Sequence, residues 1–387
     1  MRSSMLYGVF FLLLLIILSS LLMNSEWSCT TSKSKYIFPW ISSTYTSIPS
    51  EFSQLNMKVI LLWTPFFSST KWSNISLQKL NCPITRCEIT KDRNRFNYSN
   101  LVIFHWRDTK AHDLPSTHPA FQRWALFNLE SPHHTPVANI QALRNNINWT
   151  ITYRTDSDIF VPYGKFVAKN KSELIAVVNT DQKKSLNNTS ISKKRLAVWI
   201  VSNCKTPSNR ENFVTELKRF IPVNVYGSCN YNRCYPINPV MTCFKSLAQQ
   251  YIFYLAFENS ICKDYATEKL YMALKVGLIP VMFSGANYSS FLPPNSYIDA
   301  LNFSSPKELA NYLLTVSKTE KLVENYQEWT KTFEIEIKYF YWFCDVCEKL
   351  HRESIENRHY HTFQKLYRWW FLEAKCKMWV NNILKTV

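Results

Sequence analysis

Residues 251–283 read YIFYLAFENSICKDYATEKLYMALKVGLIPVMF. The run Tyr251 to Phe257 is continuously apolar and rich in aromatics, the pattern of a strand buried on both faces. Asp264 is a candidate cap for a helix running to about Lys275, Gly277 stops that helix, and Leu278 to Phe283 is a second apolar strand. The same grammar occurs upstream. Arg195 to Val201 (RLAVWIV) is a strand ending in Ser202-Asn203; Phe213, Leu217 and Phe220 form a helical stripe; Val223 to Tyr226 is a short strand stopped by Gly227. Two successive β-α-β units predict a parallel sheet covered by helices. Ligands of such sheets bind beyond the carboxyl ends of the strands, beside helix N-termini. Ser202, Asn203, Glu258 and Asn259 fall at those strand ends, and Arg210, Tyr265, Glu268 and Lys269 fall at or near the starts of the following helices. A lysine there opposes the helix dipole unless an anion lies close by, and Arg210 in the equivalent position of the other unit strengthens the case for a diphosphate site.

Composition narrows the chemistry. Only five glycines occur in 387 residues, at 8, 164, 227, 277 and 285, so neither the GxGxxG fingerprint nor a Walker loop can be built. The formal charge of +17 suits an anionic ligand or membrane surface. The aromatics are scattered and match no RNA- or DNA-binding pattern, so nucleic acid is not an expected partner.

Toward the amino terminus, Leu6 to Met23 is an uncharged, mostly apolar run long enough to cross a bilayer. No small-x-small cleavage site follows it, which favours an uncleaved single-pass anchor over a cleaved signal peptide. The expected organisation is a tail over 1–5, the anchor over 6–23, and a Ser/Thr-rich stem over 24–54. Strands at Met57 to Trp63, Leu101 to Trp106 and Gln122 to Leu129 open a first folded half over 55–180; the second half spans 195–350, and 351–387 is a helical extension. That extension carries Trp369-Trp370 and reads as a packed helix, with a membrane-surface helix as the alternative. A lumenal body fits the eight Asn-x-Ser/Thr sequons at Asn74, Asn97, Asn148, Asn170, Asn187, Asn188, Asn287 and Asn302. It also fits eleven cysteines, read as a disulfide framework with one thiol left over. Cys344 and Cys347 could instead form a zinc site with Cys82 and Cys87; the oxidising address favours disulfides.

Several stretches together resemble the α1,3-fucosyltransferases. They are Asn128-Leu-Glu-Ser-Pro132, Tyr153-Arg-Thr-Asp-Ser-Asp-Ile-Phe-Val-Pro-Tyr-Gly164, Val201-Ser-Asn-Cys204, Phe253-Tyr-Leu-Ala-Phe-Glu-Asn-Ser260 and Lys263-Asp-Tyr-Ala-Thr-Glu-Lys269. The resemblance runs from about residue 55 to about 350. It implies a type II Golgi membrane enzyme of the GT-B arrangement, two Rossmann-like α/β halves facing a cleft, with the acceptor glycan on the first half and GDP-fucose on the second.

By position, Glu130 resembles the general base, the one carboxylate an inverting displacement needs. Arg210 and Lys269 resemble the groups that neutralise the departing diphosphate, and Glu268 the residue that accepts from the donor ribose. Tyr163, Ser202, Asn203, Tyr254, Glu258, Asn259 and Tyr265 match further donor positions. The adjacent His133-His134 reads as surface.

Asp156-Ser-Asp158 imitates the metal motif of another glycosyltransferase architecture, but this family does not use it so. No obligatory metal is implied, which leaves room for divalent stimulation. The resemblance pairs Cys82 with Cys344 and Cys87 with Cys347. The further cysteines at 204, 229, 234, 243 and 262 resemble the cysteine-richer enzymes that fucosylate the core GlcNAc of N-glycans. A Lewis-type enzyme acting on lactosamine, or a silent glycan-binding relative, are the alternatives. The chain departs from the family's usual residues at Thr155, Met272 and Ser284.

Overall fold

A computed structural model describes residues 56–68, 75–169, 194–230, 232–234, 240–354 and 359–387. Strands β1 (Lys58–Leu62), β2 (Cys87–Thr90), β3 (Leu101–His105), β4 (Arg123–Asn128), β5 (Trp149–Thr152) and β6 (Ile159–Phe160) form one sheet in the order β2-β1-β3-β4-β5-β6. Every neighbouring pair is parallel. All positions of β3 and β4 are buried, as the cover on both faces of a parallel sheet requires.

After β7 (Lys165–Ala168), strands β8 (Arg195–Ile200), β9 (Val223–Tyr226), β10 (Tyr251–Phe257), β11 (Ile279–Phe283) and β12 (Ile298–Asp299) form a second parallel sheet in the order β12-β11-β10-β8-β9. The two β-α-β units are present. Their helices differ in detail from the sequence reading. The first, α2 (Arg210–Leu217), follows α1 (Val137–Leu143) of the first half and ends before Phe220, which is 41% exposed rather than part of the apolar stripe. After α3 (Val240–Gln250), helix α4 (Glu268–Lys275) is capped by Thr267 rather than by Asp264. Asp264 has a left-handed backbone (φ 61°), and its carboxylate accepts from the Thr155 amide and hydroxyl at 3.2 and 2.9 Å.

Two glycines are required by close approach. A Cβ on Gly164 would come within 2.5 Å of the Tyr271 ring, and Gly227, at φ +104°, would place one 2.3 Å from the Val201 carbonyl. Gly164 thus lets the end of the first half lie flat on α4.

The chain then returns. After α5 (Pro306–Lys318) and α6 (Glu320–Asn325), β13 (Phe333–Glu336) pairs antiparallel with β7. Helix α7 (Trp342–Arg352) packs into the core of the first sheet, not the second, so the expected boundary at 350 is corrected. Trp342 stacks on Phe127 at 4.7 Å, and Cys344 and Cys347 are bonded to Cys82 and Cys87. Helix α8 (Phe363–Tyr367) runs into a π-helical turn, Arg368–Leu372, that buries Trp370 completely against Trp106. This segment is packed on protein. The hairpin β14 (Lys377–Val380) and β15 (Ile383–Thr386) crosses back, putting Trp379 against Phe213. Among the described residues no helix is long and apolar enough to cross a membrane. The run 6–23 and the stem 24–54 lie outside them.

Candidate active site

Glu130 stands just beyond the carboxyl end of β4, in a turn built by its neighbours. The Asn128 side chain accepts from the Glu130 amide at 3.1 Å and donates to Thr135 Oγ1 at 2.9 Å, while the Thr135 hydroxyl donates to the Ser131 carbonyl at 2.8 Å. Ser131 Oγ lies 2.7 Å from Ser260 Oγ, and both serines are wholly buried. This hydrogen bond joins the Glu130 turn of the first half to the loop beyond β10 of the second. Burial pushes the Glu130 carboxyl up; Arg107 and Lys269 pull it down, and Glu268 and Glu258 push it further up. A carboxylate of the first half therefore shares its field with the charged cluster of the second.

That cluster is centred on Lys269. Its ammonium donates to Glu258 Oε2 at 3.0 Å, to Thr267 Oγ1 at 2.7 Å and to Glu268 Oε1 at 3.3 Å. Glu258 is fully buried, and its other oxygen accepts from the Thr267 amide and hydroxyl, each at 2.8 Å. The donor-contact expectation for Glu258 is corrected on that ground: both of its oxygens are committed within the protein, to Thr267 and Lys269. Burial works against charge on Lys269, yet Glu258 and Glu268 hold its pKa above the ordinary value. Burial likewise opposes ionisation of Glu268, and Lys269 with the helix-start amide holds it ionised.

Arg210 opens α2 and is 3% exposed. It donates to the carbonyls of Phe257, the last residue of β10, at 2.5 Å and of Asn203 at 3.2 Å. Its Nε has no partner among the described residues. Burial lowers its pKa, and Glu258 and Glu211 oppose that. A buried guanidinium with donor capacity unspent is equipped to receive an anion.

The remaining candidates divide. Tyr163 donates to the Leu129 carbonyl and so braces the Glu130 turn. Tyr265 is buried against Tyr153, with ring centroids 4.9 Å apart. Tyr254 packs on Phe244, but Glu268, Glu258 and Arg210 all act on its hydroxyl, which burial keeps protonated. Ser202 and Asn203 are exposed at the end of β8, in a loop fastened by the Cys204–Cys229 disulfide. The Asn259 side-chain oxygen is buried and has no partner among the described residues.

In Asp156-Ser-Asp158, Asp156 is committed within the fold. Burial works against ionisation of Asp156, but bonds from Arg154, Lys263 and Trp369 hold its carboxyl at about 2. Asp158 accepts from the Thr150 amide and hydroxyl, each at 2.8 Å.

The family departures are accommodated. Thr155 bonds Asp264, Ser284 Oγ donates to the Tyr265 carbonyl at 2.5 Å, and Met272 is in the core.

Among the described residues five disulfides are formed: the two above, 204–229, Cys234–Cys243 and Cys262–Cys376. The zinc alternative for Cys82, Cys87, Cys344 and Cys347 falls with them, since a bonded sulfur offers no thiolate. Cys29, the eleventh cysteine, lies outside the described residues.

Of the sequons, Asn97, Asn287 and Asn302 are exposed, and 74, 170, 187 and 188 lie outside the described residues. Asn148 is corrected. It is 1% exposed, its oxygen accepts from the Trp124 amide and its amide donates to the His359 carbonyl, both at 2.8 Å, so the folded chain has no room for a glycan there.

Three contributors escaped the sequence reading. Arg107 follows β3 and acts on both Glu130 and His134; its strand-end position was the available signal. Ser260 and Thr267 lie inside the quoted motifs, but nothing local gives them a role. His133 and His134, read as surface, are half-buried in the turn after Glu130, and burial lowers the pKa of both. His134 Nε2 is buried without a partner among the described residues.

Two parallel α/β halves thus carry a half-buried carboxylate on one and a cationic, carboxylate-braced helix start on the other. Residues 55–164 match the family model described as the N-terminal region of fucosyltransferases, and residues 190–369 that of glycosyltransferase family 10 (fucosyltransferase), C-terminal. The chain is 34% identical to α-(1,3)-fucosyltransferase C of Drosophila melanogaster, over 81% of this chain and 78% of that one. It is 33% identical to glycoprotein 3-α-L-fucosyltransferase A of the same organism, over 84% and 63%. It is 34% identical to 4-galactosyl-N-acetylglucosaminide 3-α-L-fucosyltransferase 9 of Rattus norvegicus, over 87% and 92%. A solved α1,3-fucosyltransferase shares the fold, with a TM-score of 0.54 and 16% identity over 82% of this chain and 96% of that one. The chain belongs to glycosyltransferase family 10, the fucosyltransferases.

Proposed function

We propose that this chain is an inverting α1,3-fucosyltransferase that moves fucose from GDP-fucose to a GlcNAc hydroxyl of glycoprotein glycans, the core GlcNAc of N-glycans in particular. The observation that carries the reading is the Ser131–Ser260 hydrogen bond. It holds the Glu130 turn against the loop leading to Lys269, and Lys269 acts on the Glu130 carboxyl, which supports reading the two as base and cation of one site.

Glu130 takes the proton of the acceptor hydroxyl as its oxygen bonds to the fucose anomeric carbon. The bond from that carbon to the diphosphate oxygen breaks on the opposite face, and GDP leaves with the electron pair. Burial keeps Glu130 basic enough for the task. Lys269 and Arg210 offset the charge that grows on the diphosphate, with the α4 amides behind them. Glu268 accepts from the donor ribose. Glu258 with Thr267 aims the Lys269 ammonium. Ser202, Asn203 and Asn259 complete the donor pocket, with Tyr163 bracing the Glu130 turn and the buried Tyr254 and Tyr265 packed behind it. Two side-chain cations do the work that a metal does elsewhere, and no divalent ion is required for turnover.

The cysteine-rich second half supports the core-GlcNAc acceptor. The Lewis-type alternative is favoured by the rat relative, whose name specifies a galactosyl-GlcNAc acceptor and which is as similar as the Drosophila proteins. In the cell, the run 6–23 would anchor the enzyme in the Golgi membrane with the catalytic halves in the lumen.

The test is the full chain, wild type and Glu130→Gln, given GDP-fucose with EDTA and either a core N-glycan or a lactosamine, the products read by mass and linkage. Core fucose that vanishes in the variant supports the whole reading. Transfer to lactosamine alone keeps the mechanism and moves the acceptor. No transfer by folded protein leaves a silent glycan-binding relative.

A further inference from the structure

Asp158, His359 and His361 converge on the first half, away from the Glu130 cleft. Among the described residues three groups bring three ligand-type side chains within 4.8 Å of one another. Two of them draw their sulfurs from the Cys87–Cys347 and Cys262–Cys376 disulfides and so have no thiolate to give. The third is Asp158, His359 and His361. We propose that these three side chains bind a divalent ion of the zinc type, which clips the C-terminal arm to the edge strand of the first sheet.

The geometry has three parts. His361 Nε2 lies 2.9 Å from Asp158 Oδ2 and His359 Nε2 lies 3.3 Å from Asp158 Oδ1. Metal–nitrogen and metal–oxygen bonds of about 2.0–2.2 Å in a tetrahedron separate neighbouring ligand atoms by about 3.3 Å, so small side-chain rotations admit the ion. A His-x-His pair on extended chain presents both rings to one side.

That chain is pinned from outside: Asn148 Nδ2 donates to the His359 carbonyl at 2.8 Å, and the His361 amide to the Ile147 carbonyl at 2.7 Å. The carboxylate is aimed in turn by Thr150, whose amide and hydroxyl both reach Oδ2, the oxygen that also meets His361, while Oδ1 faces His359. Hydrogen-bonded carboxylates of this kind are what orient metal ligands. Side-chain exposures of 54% for His359 and 26% for His361 leave a path for the ion and a position for water.

Two imidazoles and one carboxylate suit zinc, cobalt or nickel better than magnesium or manganese. The position also separates this site from donor chemistry. Asp158 lies opposite Thr150 at the amino end of β5, whereas Glu130 follows the carboxyl end of β4. The ion would stabilise the fold and leave transfer to the side chains of the cleft.

The experiment uses the full chain purified without chelator, then stripped and returned to zinc, cobalt or magnesium. One zinc per chain by elemental analysis is expected. Zinc at a hundred times its Kd should raise Tm by about 3 °C, magnesium should not, and His359→Gln/His361→Gln should abolish the rise while transfer persists. Cobalt should give d–d absorption that the variant lacks. If the double variant does not fold, His359→Gln alone, at a half-exposed position, should weaken zinc binding at least about tenfold. Wild-type protein that takes up no zinc and shows no thermal shift overturns the proposal and leaves a histidine–carboxylate hydrogen-bond cluster. Zinc retained by the variant overturns it equally.

Discussion

The ammonium of Lys269 is held 3.0 Å from Glu258 Oε2, a carboxylate with no exposure to solvent. The pair ties the residue just beyond strand β10 to the start of helix α4, and it makes the cation at the helix start a fixed object instead of a mobile side chain. Lys269→Ala should lose turnover and also stability, because it leaves the buried Glu258 charge without its cation, a cost of about 3–5 kcal/mol. Glu258→Gln/Lys269→Met should recover much of the Tm and none of the activity. Thermal melts beside initial rates separate the two effects, and unchanged rates in Glu258→Gln would remove the aiming role given to Glu258.

Turnover should have an acid limb set by Glu130. Burial raises its pKa, so the limb lies above the ordinary carboxylate value of about 4.3, and activity falls as the pH drops through it because the protonated acid cannot accept the hydroxyl proton. Arg107 favours the ionised form, so Arg107→Ala should move the limb to higher pH. A kcat profile against pH for both proteins decides it; an unmoved limb would mean that another group titrates. Glu130→Gln should lower kcat about 10²- to 10⁴-fold.

Ser131 and Ser260 form a cycle that can be closed experimentally. Ser260→Ala leaves the Ser131 hydroxyl buried without its partner, at a cost of about 1–3 kcal/mol, and loosens the Glu130 turn. Ser131→Ala/Ser260→Ala should be nearly as stable as wild type, since both polar groups are gone. The Tm series is the measurement, and additive losses would show that the two hydroxyls act independently.

Cys262–Cys376 closes a sequence separation of 114 residues and anchors the C-terminal arm beside the site. Replacing both cysteines by alanine should cost about 2–5 kcal/mol and open the arm after Lys375 to protease. Mass-resolved limited digestion checks this; an unchanged digestion pattern would mean that Trp370 and Trp379 hold the arm unaided.

Glycan mapping should find Asn148 unmodified, whatever the occupancy of Asn97, Asn287 and Asn302. Asn148→Gln should lower Tm, because two buried bonds are lost.

The sequence alone determined the two β-α-β units of the second half, since apolar runs of strand length and stripes of helix period are local properties. It also carried the family motifs, whose resemblance implied Glu130 as base and the two disulfides that tie the ends of the folded body together, and the helix-start positions of Arg210 and Lys269. Only the tertiary structure decided that α7 packs into the first sheet, that Glu258 serves Lys269 within the protein, that Asn148 is closed to sugar, and that Asp158 meets two histidines from the far end of the chain. Each of these is a contact whose partners are distant in sequence or hidden in the fold. Burial and pairing belong to the assembled chain, and no local pattern of residue types encodes them.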